Sequence, residues 1–305
     1  MARYVLRRFV LAIITLFCVT AVVFFVARAS GDVALLLAPA GASDEVLQEV
    51  RVHYGLDKPL PVQYWVFVKG AIHGDFGESI RYKEPAMNVV RRALPKTLEL
   101  AFISFVIGNV LGILFGVLTA TKRSRLLKWG GKIFAMLGQA IPGFFFAVLL
   151  MLVFSVKLRW LPTSGSGGIR HLILPVVAMS WLSISFVMRI TRSAVLDVMD
   201  SEYVKMARVK GNVERRVVWK HALRNAMIPI IAVAGLQLTM LIGGMAYIEQ
   251  IYRWQGIGQL MVSSINAHDY PLIQAIVVVT AVAIIIINFI VDMLYLAVDP
   301  RIKYS

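Results

Sequence analysis

Gly131-Lys132 has the look of the end of a phosphate-binding loop, but Ile133 follows where such a loop needs Ser or Thr. The nucleotide site implied by that pattern is therefore not read here. His53, His73, His171, His221 and His268 are scattered through loops and outer segments, with no metal-ligand spacing and no H-E-x-x-H. No Ser/His/Asp grouping stands out as a triad, and the lone Cys18 allows no intrachain disulfide. The sequence thus offers no catalytic residue and no metal site. Its most informative stretch is a mechanical one, Arg189 to Asn225, long for a connection between two apolar runs. In "DSEYVKMARVK", Tyr203, Met206, Ala207 and Lys210 recur at i, i+3, i+4 and i+7, so a helix would place them on one face. Gly211 suits the helix end, Asn212 reads as the cap of a second helix, and Glu214 falls in that helix's first turn. Helix, glycine bend, helix makes a rigid elbow. With Ala207 on an exposed face it suits insertion into another protein's groove, or it lies as a basic helix on anionic lipid.

The elements that carry this elbow follow from composition. The chain has 305 residues, 59% hydrophobic and 16% charged, against about 45–50% and about 25% in soluble domains. That excludes a soluble globule, a disordered chain and a disulfide scaffold. A bilayer core of about 30 Å needs about 20 apolar residues per helix. Six runs qualify: Phe9–Ala27, Thr97–Ala120, Ile133–Val156, Leu172–Met188, Ala226–Ile248 and Leu272–Val298. The fold class is all-α integral membrane with six transmembrane helices. "MARYVLRRF" and Ala27-Arg28-Ala29 resemble a signal peptide, but the apolar run is longer than a signal's core, so the first span reads as an uncleaved anchor.

Orientation follows from Lys and Arg in the connections. With both termini in the cytoplasm, the inner side holds Arg3, Arg7 and Arg8, then Lys122 to Lys132, then the basic elbow, then Arg301 and Lys303. Nearly all of the formal net charge of +15 lies there. It is membrane-topology charge, so no nucleic-acid partner is implied. The organisation reads as a tail and first span at 1–27, an outer segment at 28–96 and a five-helix core at 97–305 that includes the elbow at 193–225.

In the outer segment, 43–56 reads as a short helix capped by Ser43. Residues 61–72 read as an aromatic interfacial stretch, 73–79 as a turn, and Pro85 to about Leu94 as another short helix. The loop at 249–271 carries Trp254, Gly256, Ile257 and Gly258, apolar enough to touch an outer partner or cap a path. Within the spans ionisable groups are scarce: Glu99 lies near an outer end and Asp292 near an inner end, where a structural pairing with an Arg of the inner face is the expectation. Proton- or voltage-coupled carriers place charges nearer the midplane. Gln139, Pro142, Gln237 and Met240 are the candidate path lining, and Gly235 and Gly243-Gly244 serve close packing. Two classes remain: the pathway subunit of an ATP-driven importer, and a self-sufficient carrier or channel. A path without its own energy source favours the first.

The ordered set "YVLRRF", "YGLDKPLPVQY", "HGDFGES", "LPKTLEL", "WLPTSG", "RITRSAVLDV", "EYVKMARVKG", "HALRNAMIP", "EQIYRWQGIGQL", "DYPLIQ" and "NFIVDMLYLAVDPRI" resembles the permeases of ATP-binding-cassette importers. Specifically it resembles the dipeptide/oligopeptide/nickel permease family, along essentially the whole chain. The general importer pattern E-A-A, Gly, I-x-L-P is only partly kept: Ala207 and Gly211 remain, and His221-Ala222-Leu223-Arg224 replaces I-x-L-P.

The resemblance implies a type I importer-permease fold in the bacterial inner membrane. It implies a homologous second permease, two nucleotide-binding ATPase subunits and an external solute-binding protein as partners. ATP and Mg would be held by the ATPases, with no cofactor in this chain. Glu202, Tyr203, Met206, Ala207, Arg208, Gly211, Arg215 and Arg216 would then form the coupling contact. Di- and oligopeptides are the implied cargo, with glutathione, nickel or metallophore complexes as alternatives.

Overall fold

The computed structural model describes residues 2–29, 34–35, 38, 41–53, 55–122 and 124–298. In chain order the helices are α1 Ala2–Ala29, α2 Asp44–His53, α3 Leu60–Ile72, α4 Ala86–Thr121, α5 Arg125–Ala140, α6 Gly143–Leu150, α7 Ile169–Met199, α8 Glu202–Val209, α9 Glu214–Arg216, α10 Leu223–Tyr252, α11 Ile257–Asn266 and α12 Tyr270–Val298. π-helical turns at Met151–Lys157 and Val217–Ala222 extend α6 and join α9 to α10. No strand occurs among the described residues.

Five of the six expected apolar runs each lie within one helix, with different bounds, and the third is broken. By length and composition, 4 helices among the described residues can cross a membrane, or 5 with the bent pair α5–α6 counted as one. The expected count of six is thus matched in part, α10 being the run outside that number. The third run is not one straight helix: α5 and α6 meet at 105°. Pro142 is the cause. Its ring forces Ile141 out of helical geometry, to ψ 119, and the chain restarts at Gly143. The short helix expected from Pro85 to Leu94 does not end there; it runs through Pro95 into the second span as one helix of 36 residues. Likewise α7 continues eleven residues past Met188, because hydropathy marks the edge of the hydrocarbon and not the end of a helix.

The chain divides into two compact units: residues 1–96 with 256–289, and 97–255 with 290–305. The first unit thus joins the outer segment to the stretch from Gly256 to Phe289. In that unit Phe76, Val89, Val90 and Ala93 pack with Ile257, Leu260, Leu272 and Ile276. α3 lies along α1, with Tyr64 Oη 3.0 Å from Thr20 Oγ1 and edge-to-face on Phe17 and Phe24. Asp269 is fully buried and ties the turn at 73–79 to the start of α12. It accepts from Ser79 Oγ at 2.5 Å, Arg81 N at 3.1 Å and Leu272 N at 3.3 Å.

The second unit is built on close helix contact. Gly108, Gly112 and Gly116 of α4 face Ser183, Val187 and Thr191 of α7, one glycine per turn against one side chain per turn. Lipid is as apolar as leucine, so van der Waals contact through small residues drives such pairing. Gly131 and Gly138 of α5 meet Thr119 and Ser185 in the same way. Leu100, Leu174, Met179, Met245, Ile248 and Trp254 fill one core, and Val117, Val195 and Ile230 another.

Candidate functional site

α8 starts after Ser201 and carries Glu202 in its first turn and Arg208 in its last, each matched to the helix dipole. Gly211 follows with φ +76, a left-handed turn that a side chain strains and glycine does not. The chain then re-enters a helix after Val213, which runs through the π turn into α10. Of the expected elbow 193–225, residues 193–199 continue α7 and 223–225 begin α10, so the bend proper is short, Asp200 to Val213. Both its ends are continuous with long helices.

Two devices hold the bend. Arg208 bridges it to Glu214 through both nitrogens, Nη2 to Oε1 at 2.9 Å and Nε to Oε2 at 3.2 Å. That hydrogen bond lowers the Glu214 carboxyl below its ordinary value of 4.5. Asn212 does not cap the second helix; its Nδ2 donates back to Ala207 O at 2.9 Å and closes the end of α8 instead. The second helix starts at Val213 without a side-chain cap.

The four residues expected on one exposed face of α8 divide. Ala207 is buried with Val204 against Val217 and Ala222. Its expected exposed position is corrected: it sits at the margin of the face, and the π turn covers it. Tyr203 and Met206 are exposed, joined by Val209 at 81% and Val213 at 70%. Those two valines were not singled out from the sequence. Their signal was available as two β-branched residues flanking Lys210-Gly211-Asn212 in a basic stretch. The elbow thus presents a small apolar knob, rimmed by exposed Arg215 and Arg216 and by the Glu202–Lys205 pair at 2.7 Å. Arg208 belongs to the internal pair and not to the rim.

The other expected residues fall differently. Trp254, Gly256 and Ile257 are buried and Gly258 half-buried, so they build cores and do not form an outer contact surface. The aromatic and aliphatic bulk that suggested contact is spent inside. Among the path candidates, Gln237 is buried with Oε1 unpaired, while Gln139, Pro142 and Met240 are exposed. Gln139 lines a cleft of about 820 Å³ with Lys132, Arg189 and Arg192. Pro142 lies at the α5–α6 break, where Tyr247 Oη closes on Gly143. A buried contact unforeseen from sequence joins Thr97 Oγ1 to Glu249 Oε1 at 2.6 Å; Glu249 is fully enclosed. Asp292 is half-buried in α12.

A glycine-zipped set of long apolar helices, one of them broken, with a short elbow between two of them, is the architecture of a membrane-embedded protein. Residues 112–304 match the family described as binding-protein-dependent transport system inner membrane component, and residues 1–101 match the N-terminal part of such components. The chain belongs to this family: it is the permease component of an ATP-binding-cassette importer, of the peptide/nickel type.

Glutathione transport system permease protein GsiC of Salmonella choleraesuis is 40% identical over 306 residues, covering 100% of both chains. Its namesake in Escherichia coli K12 is 39% identical over the same length. Among solved structures, the inward-facing MetNI methionine ABC transporter matches with a TM-score of 0.58 at 21% identity, over 70% of this chain and 97% of that one. An amino acid ABC transporter with histidines matches at 0.55 and 16% identity, over 68% and 93%. The last two support the fold alone. Importers of this family depend on a binding protein and on ATPase partners, and their permease subunits carry no ATPase site.

Proposed function

We propose that this chain forms half of the pathway of an importer for glutathione and similar short peptides, driven from the elbow by ATPase subunits. Both termini lie in the cytoplasm, as the Lys and Arg distribution indicates. A homologous second permease completes the pathway, two nucleotide-binding subunits hold ATP and Mg, and an external binding protein delivers the solute.

The observation that carries the coupling reading is the exposed apolar knob of Tyr203, Met206, Val209 and Val213 on a bend held by Arg208 and Glu214. Apolar side chains at this exposure, on an otherwise basic connection, fit a partner's cleft better than water. Rigidity matters as much, because a coupling element must pass on displacement and not absorb it. ATP-driven closure of the partner then biases the helices between inward-open and outward-open states, through differential contact with the two. Ala207 and Gly211 act by shaping the elbow, and Arg215 and Arg216 by fringing it with charge.

The full-length identity to the glutathione permease supports the cargo class. Di- and oligopeptides share its amide and carboxylate chemistry; nickel or metallophore complexes are the second reading.

The test is uptake by inverted-topology-controlled vesicles holding the assembled importer. Labelled glutathione, a dipeptide and Ni²⁺ are supplied with the binding protein. ATP-dependent uptake of glutathione or the dipeptide is expected, and transport of Ni²⁺ alone overturns the cargo assignment. In the same vesicles Met206→Asp should abolish uptake; full uptake in that variant overturns the coupling assignment.

A further inference from the structure

A second polar feature lies in the first unit, away from the elbow and the path candidates. A pocket of about 220 Å³ is lined by Arg28, Glu78, Ser79, Lys83, Tyr270 and Gln274, among others. Arg28 Nε is buried without a hydrogen-bond partner, and among the described residues the guanidinium stacks on the face of Phe24, 5.2 Å from the ring centre. Gln274 is 9% exposed, and its amide makes no hydrogen bond among the described residues. Leaving a buried donor unmet costs about 1–3 kcal/mol, more for a charged group. Arg28 Nε is such a donor, and it lies at a pocket that the Gln274 amide also lines, so the fold has left room there for an acceptor.

Three properties define that acceptor. Arg28 and Lys83 against Glu78 leave one net positive charge, which matches a monoanion. The volume is below the roughly 300–1,000 Å³ of small-molecule sites, so only a compact head fits. The third is depth. The apolar stretch of α1, Leu6–Ala29, has 24 residues and spans roughly 36 Å, against a hydrocarbon core of about 30 Å. Arg28 therefore stands at the headgroup level of the membrane surface opposite the N-terminus. The same helix turn presents Phe25 and Val26 outward, 48% and 58% exposed, where acyl chains run.

We propose that this pocket binds the phosphodiester of an anionic phospholipid headgroup, with Arg28 and Gln274 as donors and Lys83 as a neighbouring charge. Planar, multi-donor Arg is suited to phosphate oxygens. A carboxylate from a docking protein would meet the charge requirement but not the depth. The bound lipid fastens the end of α1 to the turn at 77–80 and to the start of α12, all within one unit.

The experiment is native mass spectrometry of the assembled importer, released from vesicles of equal parts phosphatidylglycerol and diacylglycerol with matched chains. Retained phosphatidylglycerol and no retained diacylglycerol are expected for the wild type. Arg28→Gln combined with Gln274→Leu should reduce retention about tenfold, the scale of one charge-assisted hydrogen bond. Arg28→Lys should keep most of it, and Arg91→Gln, on an exposed side chain, should change nothing. Equal retention of the two lipids by the wild type overturns the proposal even if the variants fail to insert. So does unchanged retention in the double variant. Loss of binding-protein affinity with lipid retention intact also overturns it, and assigns the pocket to a protein carboxylate.

Discussion

Replacing Gly112 with Ala inserts one methyl group where the α4–α7 contact has no room for it. The added Cβ would lie 2.6 Å from Val187 Cβ, 2.8 Å from Val187 Cγ1 and 3.2 Å from Ile184 O, where ordinary contact begins at 3.4 Å. Two of these neighbours cannot swing aside: a Cβ moves only with its backbone, and a helical carbonyl only with its helix. The two helices must part by about 0.8 Å at this turn, and the neighbouring contacts at Gly108 and Gly116 loosen with it. Overpacking of this kind costs about 1–3 kcal/mol. The control is Gly130→Ala, whose Cβ meets nothing within 4 Å, and which gains about 0.4–1 kcal/mol from reduced freedom of the unfolded chain. The two substitutions are chemically identical and opposite in expected sign. SDS-titrated unfolding of the purified chain, followed by circular dichroism, measures both. Val187→Ala added to Gly112→Ala should recover part of the loss, a coupling of about 0.5–3 kcal/mol. Gly112→Ala as stable as Gly130→Ala would refute the zipper.

At the elbow, Gly211→Val should uncouple ATP hydrolysis from uptake in the assembled importer, because a β-branched residue resists φ +76. Gly211→Asn, which tolerates that region, should retain most of the uptake, and equal loss in both would argue that the turn is not the cause. Because its bond to Arg208 lowers the Glu214 carboxyl below 4.5, the pair's contribution is present above that value and lost only as pH falls below it. Uptake between about pH 8 and about pH 5 should therefore show no inflection that Glu214→Gln removes. Glu214→Gln itself should lower elbow stability by no more than about 1 kcal/mol, since the pair is largely exposed, and hydrogen exchange at Arg208 and Asn212 would read it. The chain purified alone should hydrolyse no ATP; hydrolysis by a contaminant-free sample would sink the division of labour.

Sequence reading recovered what local chemistry decides. The elbow was legible because Gly211 and the apolar spacing of "EYVKMARV" are local signals, and the structure keeps both the bend and the helix. What failed was everything that depends on which neighbour covers a residue. Ala207 could not be separated from Tyr203 and Met206 by spacing, since Val217 and Ala222, ten and fifteen residues away, bury it. Trp254 and Ile257 looked like a contact surface because their loop lacks a period, yet they close two cores. Pro142 was noticed, but its 105° bend depends on α6 having somewhere to go. The run Gly108, Gly112, Gly116 was readable as a packing motif at four-residue spacing, and its partner helix was not.

The π turn at Val217–Ala222 changes how this region tolerates insertions and deletions. A turn closed by bonds from residue i to i+5 holds one residue more than an α-helical turn. Everything from Leu223 to Tyr252 keeps its present faces only because that residue is accommodated there. A one-residue deletion inside the turn would let it revert to an ordinary helix and leave the downstream faces where they are. The same deletion elsewhere in α10 would rotate one part of the helix by about 100° against the other and turn buried positions such as Ile230, Met245 and Ile248 outward. Length variation in this helix is therefore confined by geometry to a six-residue window beside the elbow.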